Sequence, residues 1–91
     1  MEKYMNFQKS TEVKELDLKY MGLGLGGEVG EVLNEIKKME RDDNNILTPE
    51  RKQKIITELG DTLWYISGIC ARIDVSFGDL VKNNMNKLSS K

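Results

Sequence analysis

The sequence predicts an all-α fold, an antiparallel four-helix bundle-like arrangement, and three observations lead to it. Strand-type alternation of apolar and polar residues is absent. Apolar residues recur at three- and four-residue spacing through two long segments, about 22–41 and 49–73. Turn chemistry separates those segments at Asp42-Asp43-Asn44-Asn45 and closes the second at Asp74-Val75-Ser76. Four helices are therefore expected, over about residues 5–20, 22–41, 49–73 and 77–88.

The first helix carries only a partial apolar stripe, Val13, Leu16 and Leu18, because Ser10 to Lys19 is highly charged. The second opens on Gly22, Gly24 and Gly27, a literal G-x-G-x-x-G. No strand precedes it and no βαβ pattern surrounds it, so the glycines read as close helix packing or a bend rather than a dinucleotide loop. The third begins at Thr48-Pro49-Glu50: an N-cap, a first-turn proline and an acidic first turn. Ser76 with Asp79 resembles a capping arrangement for the fourth.

Ninety-one residues make a single domain, 1–91, whose limited core makes association into an oligomer a reasonable expectation. Fourteen basic and fifteen acidic side chains leave a net charge of -1, which argues against a nucleic-acid or anionic-membrane surface. One cysteine, Cys70, and no histidine exclude an intrachain disulfide and make a thiolate or imidazole zinc site implausible. Any metal should be a hard cation held by oxygen. No apolar run reaches the roughly 20 residues needed to cross a bilayer, and a soluble, cytoplasmic protein is expected.

The acidic residues matter by position. On a helical wheel with Glu28 at zero, Val29, Val32, Leu33, Ile36 and Met39 fill a stripe from about 20° to 140°, with Glu28, Glu31 and Glu35 along one border. With Glu58 at zero, Ile55, Leu59, Leu63, Ile66, Ile69, Cys70 and Ile73 fill nearly the same arc, and Asp61 falls where Glu31 fell. Antiparallel packing of the two apolar faces then puts both acidic pairs on one side of the seam. A solvated i, i+3 acidic pair is ordinary helix surface, and such a surface usually supplies basic partners four residues on. Here those positions are Val32, Glu35, Thr62 and Tyr65, so the carboxylates of Glu28, Glu31, Glu58 and Asp61 are available to another charge. Four carboxylates beside an apolar seam resist ionisation unless a cation neutralises them, and magnesium, with manganese as the alternative, suits an all-oxygen set.

The segments Gly22-Leu23-Gly24-Leu25-Gly26-Gly27-Glu28-Val29-Gly30-Glu31-Val32, Lys37-Lys38 and Glu58-Leu59-Gly60-Asp61-Thr62-Leu63-Trp64-Tyr65 together resemble the MazG-type nucleotide pyrophosphohydrolases. The resemblance covers about residues 20–91 and includes Asn84-Met85-Asn86-Lys87-Leu88, similar to a closing Asn-x-x-Lys-Leu. E-x-x-E followed by E-x-x-D is specific when set on two helices. The resemblance implies an all-α fold shared with dimeric dUTPases, a homodimer or homotetramer, and hydrolysis of (d)NTP to the monophosphate and pyrophosphate. It also implies that Glu28, Glu31, Glu58 and Asp61 bind magnesium and carry the catalysis, one of them accepting the proton of the attacking water.

Secondary candidates follow. Tyr65 lies one turn beyond Asp61, where its ring either stacks on a base or packs with an exposed hydroxyl. Lys38, at about 280° on the wheel, is nearer the Glu31 border than Lys37 and is the better phosphate ligand of the two, although a solvated surface role is the leading reading for either lysine. Asn84 and Lys87, i and i+3 on the fourth helix, reach sugar or phosphate by analogy with the family. Trp64 is expected opposite the carboxylate border, in a second buried face or a subunit contact, and Cys70 in the core. The N-terminal third departs from the family's best-known members in being short and polar, the usual base-contacting residues have no assigned positions there, and base selectivity stays open. The expected function is nucleotide pool adjustment or house-cleaning. The alternatives are a non-catalytic helical module that senses a nucleotide or binds a protein, and a hydrolase of another pyrophosphate-linked compound.

Overall fold

The computed structural model describes residues 2–11 and 17–90. Its elements are α1 (Glu2–Thr11), α2 (Leu18–Asp42), α3 (Pro49–Arg72) and α4 (Phe77–Ser89), with no strand among the described residues. Each of the three long-range helix starts has a side-chain cap that satisfies a backbone N–H which the helix itself leaves unpaired. The amide of Tyr20 donates to Asp17 at 2.7 Å, that of Arg51 to Thr48 at 3.1 Å, and that of Asp79 to Ser76 at 3.0 Å. The loop after α2 turns through Asn44 and Asn45 at φ 55° and 57°, a left-handed conformation that asparagine tolerates.

The expectation of one helix over 5–20 is corrected. α1 ends at Thr11, and Asp17 caps a new helix, so Leu18 to Tyr20 belong to α2. Val13 and Leu16 of the expected stripe lie outside the described residues. The glycines neither break nor delay α2, which runs unbroken from Leu18 to Asp42.

The principal packing is between α2 and α3. On α2, Met21, Leu25, Glu28, Val32, Glu35 and Met39 follow a four-three spacing and are all buried or half-buried. On α3, Arg51, Ile55, Glu58, Thr62, Tyr65 and Ile69 do the same. This is the pattern of a coiled-coil seam. Contacts run Glu35 to Arg51, Glu28 to Glu58 and Gly24 to Tyr65, so the helices are antiparallel.

The wheel's stripe is buried only in part: Val32 and Met39 of α2 and Ile55, Leu63, Ile66, Ile69 and Cys70 of α3 are buried or half-buried as expected, but the seam is rotated toward the acidic border. Glu28 and Glu35 sit inside the seam, whereas Leu18, Val29, Leu33 and Ile36 are exposed, Leu33 by 62%. Ile56 and Leu59 of α3 are exposed too. The physical reason is the charge pair: the buried Arg51 guanidinium donates to Glu35 at 2.6 Å and to Asp43 at 2.8 Å, and both carboxylates push its pKa up. That pairing draws the acidic edge of α2 against α3 and leaves Val29, Leu33 and Ile36 facing outward.

The short helices close one end. α1 and α4 both contact α3, and neither contacts α2 at the level of the backbone. Met5, Cys70 and Phe77 are buried there, with Leu63, Ile66, Ala71 and Val81 packed around them. Gly68 is the close-approach point: a Cβ on it would run into the Met21 methyl of α2 and lie 2.8 Å from the Gln8 amide nitrogen of α1. The radius of gyration is 15.4 Å, whereas a compact chain of this length has about 12 Å. The long α2–α3 hairpin and its uncovered apolar stripe account for the difference.

Three substitutions test this packing. Gly68→Ala should destabilise by about 1–3 kcal/mol through overpacking, while Gly26→Ala, where nothing stands near the new methyl, should stabilise by about 0.5–1 kcal/mol; chemical denaturation of both variants reads the contrast. Arg51→Met leaves Glu35 buried without its cation and should lower the thermal midpoint by at least about 5 °C.

Candidate functional site

Glu28 comes from the middle of α2, and Glu58 and Asp61 from consecutive turns of α3. Each offers a carboxylate oxygen, and the three oxygens lie within 4.8 Å of one another. Glu28 and Glu58 are half-buried and Asp61 is exposed. The heptad register explains the meeting: Glu28 lies seven residues before Glu35, and Glu58 seven residues after Arg51. The Arg51–Glu35 pair therefore sets Glu28 opposite Glu58 about 10 Å further along the seam.

Among the described residues no lysine or arginine pairs with any of the three. The Glu28 carboxyl is consequently held above its usual range, by loss of solvent first, then by its hydrogen bond with Glu58, and then by the charges of Asp61, Glu58 and Glu31. Three carboxylate oxygens, no nitrogen or sulfur donor and a Glu28 pKa raised by its acidic neighbours are the features of a site that fits a hard divalent ion.

The structure brings some of the expected residues together and not others. Glu31 is exposed and stands outside the close trio, although its charge reaches Glu28. Tyr65 lies beside the trio, and its hydroxyl pKa is raised by burial, by Tyr20, and by the charges of Glu28 and Asp61. A Cβ on Gly24 would fall on the Tyr65 ring, so this glycine gives the ring its place against α2. Lys38 is turned toward Glu35 at 3.8 Å. Asn84 and Lys87 are exposed on α4, whose backbone does not approach that of α2 among the described residues, and they are not among the residues gathered at the carboxylates.

Trp64 requires a correction. It lines a cleft of about 330 Å³ together with Glu28, Asp61 and Tyr65, rather than pointing away from them. Its ring meets Tyr65 edge-on at 5.0 Å, and its indole N–H donates to the Thr11 hydroxyl at 2.6 Å, which ties α1 to the rim of the cleft. The signal was in the spacing: Trp64 is three residues beyond Asp61, and such pairs share a helix face. A larger cleft of about 590 Å³ opens on the other side of Glu58, lined by Glu35, Glu50, Gln53, Lys54 and Thr57 as well. Lys54 went unnoticed in the sequence for the converse reason, since it precedes Glu58 by four residues and lies upstream of the motif. Tyr4 of α1 is also within the field of the site, its pKa raised by burial and then by Asp61.

The comparisons with known proteins agree with this geometry. The profile of the MazG nucleotide pyrophosphohydrolase domain matches residues 17–91. The chain is also similar to the Gene 37 protein of Mycobacterium phage L5, at 38% identity over 74 residues, which is 81% of this chain and 65% of that protein. The chain thus spans just under two thirds of this relative's own length. No solved structure matches. Among the described residues no helix is long and apolar enough to cross a membrane. With the profile covering the greater part of the sequence, both acidic pairs included, the chain belongs to the MazG nucleotide pyrophosphohydrolase domain family.

Proposed function

We propose that this chain is a divalent-cation-dependent nucleoside triphosphate pyrophosphohydrolase, converting (d)NTP and water to (d)NMP and pyrophosphate, with magnesium or manganese as the ion. The observation that carries this reading is the convergence of Glu28, Glu58 and Asp61 from two helices, without a basic partner, in a chain of this family. These three carboxylates hold the ion, and Glu31 adds charge from the next turn of α2. When bound, the ion supplies neutralisation of the triphosphate and a lowered pKa for the attacking water.

The residues around it orient the reaction. Water oxygen forms a bond to the α-phosphorus, the bond from that phosphorus to the bridging α–β oxygen breaks, and the bridging oxygen leaves on pyrophosphate. The water proton passes to one carboxylate of the cluster. The walls of Trp64 and Tyr65 exclude solvent from one side of the reacting atoms. A homo-oligomer, dimer or tetramer, is the expected cover for Leu18, Val29, Leu33 and Ile36, because an exposed apolar stripe of this kind marks an association surface. Asn84 and Lys87 would join the site from a neighbouring copy in such an assembly.

Phosphate release in the presence of added inorganic pyrophosphatase, across the (d)NTPs and with or without magnesium, is the direct assay. Glu58→Gln and Asp61→Asn should each reduce turnover by at least about a hundredfold with the helical circular dichroism spectrum unchanged. Failure of every triphosphate to turn over would leave a binding module instead.

A second expectation concerns pH. Because the Glu28 carboxyl is held above its unfolded value of 4.5, the folded chain binds the extra proton, and its contribution is present below that value and lost as pH rises through the raised one. Metal-free protein should therefore lose stability on that rise. Saturating magnesium should remove the loss, and thermal melts from pH 4 to pH 8, roughly, compare the two states.

A further inference from the structure

The two clefts beside the carboxylates differ in chemistry, and the candidate metal centre lies at their junction. Glu58 walls the larger cleft, Glu28 and Asp61 wall the smaller, and the three ligand oxygens are within 4.8 Å of one another. Along one face of α3 the order is Lys54, Glu58, Asp61, Tyr65, so Lys54 and Tyr65 stand about one helical turn beyond the acidic pair at opposite ends. The smaller cleft is aromatic, with Trp64 and Tyr65. The larger has a mainly apolar wall and presents Lys54 and Gln53 as donors suited to phosphate oxygens, the Thr57 hydroxyl being engaged with the Gln53 carbonyl at 3.0 Å.

Its carboxylates do not cancel that character. Glu35 is already committed to Arg51 at 2.6 Å and to Lys38 at 3.8 Å. Glu50 stands in the first turn of α3, where the helix N-terminus offsets its charge. Lys54 is exposed and forms no ion pair among the described residues, whereas Arg51 and Lys38 are both engaged.

In a nucleoside triphosphate the α-phosphorus lies between the nucleoside and the two outer phosphates. An ion site at the α-phosphate must therefore have the nucleoside on one side and the diphosphate on the other. We propose that the α2–α3 groove has a fixed polarity: the Lys54 cleft receives the β- and γ-phosphates that leave as pyrophosphate, and the Trp64–Tyr65 cleft receives the nucleoside. Lys54 is the residue that positions the leaving group. This assignment rests on the hydrolase reading given above and adds a direction to it.

Calorimetric titration of the full chain tests the polarity without requiring turnover. Magnesium pyrophosphate is one probe, and AMP, GMP, CMP, UMP and dTMP in magnesium are the others, against wild type, Lys54→Gln, Lys54→Arg and Tyr65→Ala. Lys54→Gln should weaken pyrophosphate binding about tenfold, the loss of one charge-assisted hydrogen bond, and leave monophosphate binding within about twofold. Lys54→Arg should restore much of the affinity, and Tyr65→Ala should weaken the monophosphate and spare pyrophosphate. Unchanged pyrophosphate affinity in Lys54→Gln, the reverse pattern, or no pyrophosphate binding by wild type overturns the polarity. Pyrophosphate binding that depends on Lys54 in a protein that hydrolyses no triphosphate would instead count against the hydrolase reading and overturn the leaving-group role, while supporting Lys54 as the residue that binds the outer phosphates.

Discussion

Glu35 and Arg51 meet at 2.6 Å inside the α2–α3 seam, and the placement of every candidate ligand descends from that contact. A buried ion pair adds little net stability, because desolvation of both groups offsets much of their attraction. What it does set is register. Sliding one helix past the other would strand a buried guanidinium, and Asp43, at 2.8 Å from the same arginine, fixes the loop between the helices as well. One heptad away, the same register sets Glu28 against Glu58, where no cation waits. The seam thus contains two matched layers, one neutralised by the protein itself and one without a basic partner among the described residues.

This arrangement also accounts for what the hairpin leaves uncovered. Two helices that bury the face containing Glu28, Glu35, Arg51 and Glu58 cannot at the same time bury the apolar residues lying roughly 80° to 140° around α2. Leu33 and Ile36 are accordingly exposed together with Leu59 of α3, and the enclosed core is confined to the end where Met5, Cys70 and Phe77 gather. The acidic trio lies near the middle of the α2–α3 contact and an exposed apolar face lies beside it, so the two features are consequences of one packing choice.

Much of this was legible in the residues alone. Thr48-Pro49 and Ser76 marked two helix starts where they occur, because capping depends on side chains within three residues of one another. The pairs Glu28/Glu31 and Glu58/Asp61 pointed to an oxygen-lined site because none of them has a basic neighbour at i+4. The start of α2 was missed, since Asp17 lies in a charged stretch that has several residues able to cap. The orientation of the seam was missed for a different reason. Wheels rank faces by hydrophobicity, whereas Glu35 and Arg51 decide it by a pairing across sixteen residues that no local pattern displays. Trp64 was misplaced by the same weighting, and Lys54 was overlooked because its relevance comes from a cleft that exists only once both helices are packed.

The claim that the register of α2 and α3 assembles a divalent-cation site is tested most directly by titrating manganese into isotopically labelled protein and following paramagnetic loss of amide signals. The account expects the earliest broadening at Glu28, Glu58 and Asp61 and their immediate neighbours, with signals from the first turns of α4 retained. Broadening spread evenly over the exposed acidic residues, or centred on Glu50 or Asp79 rather than on the seam, would contradict it.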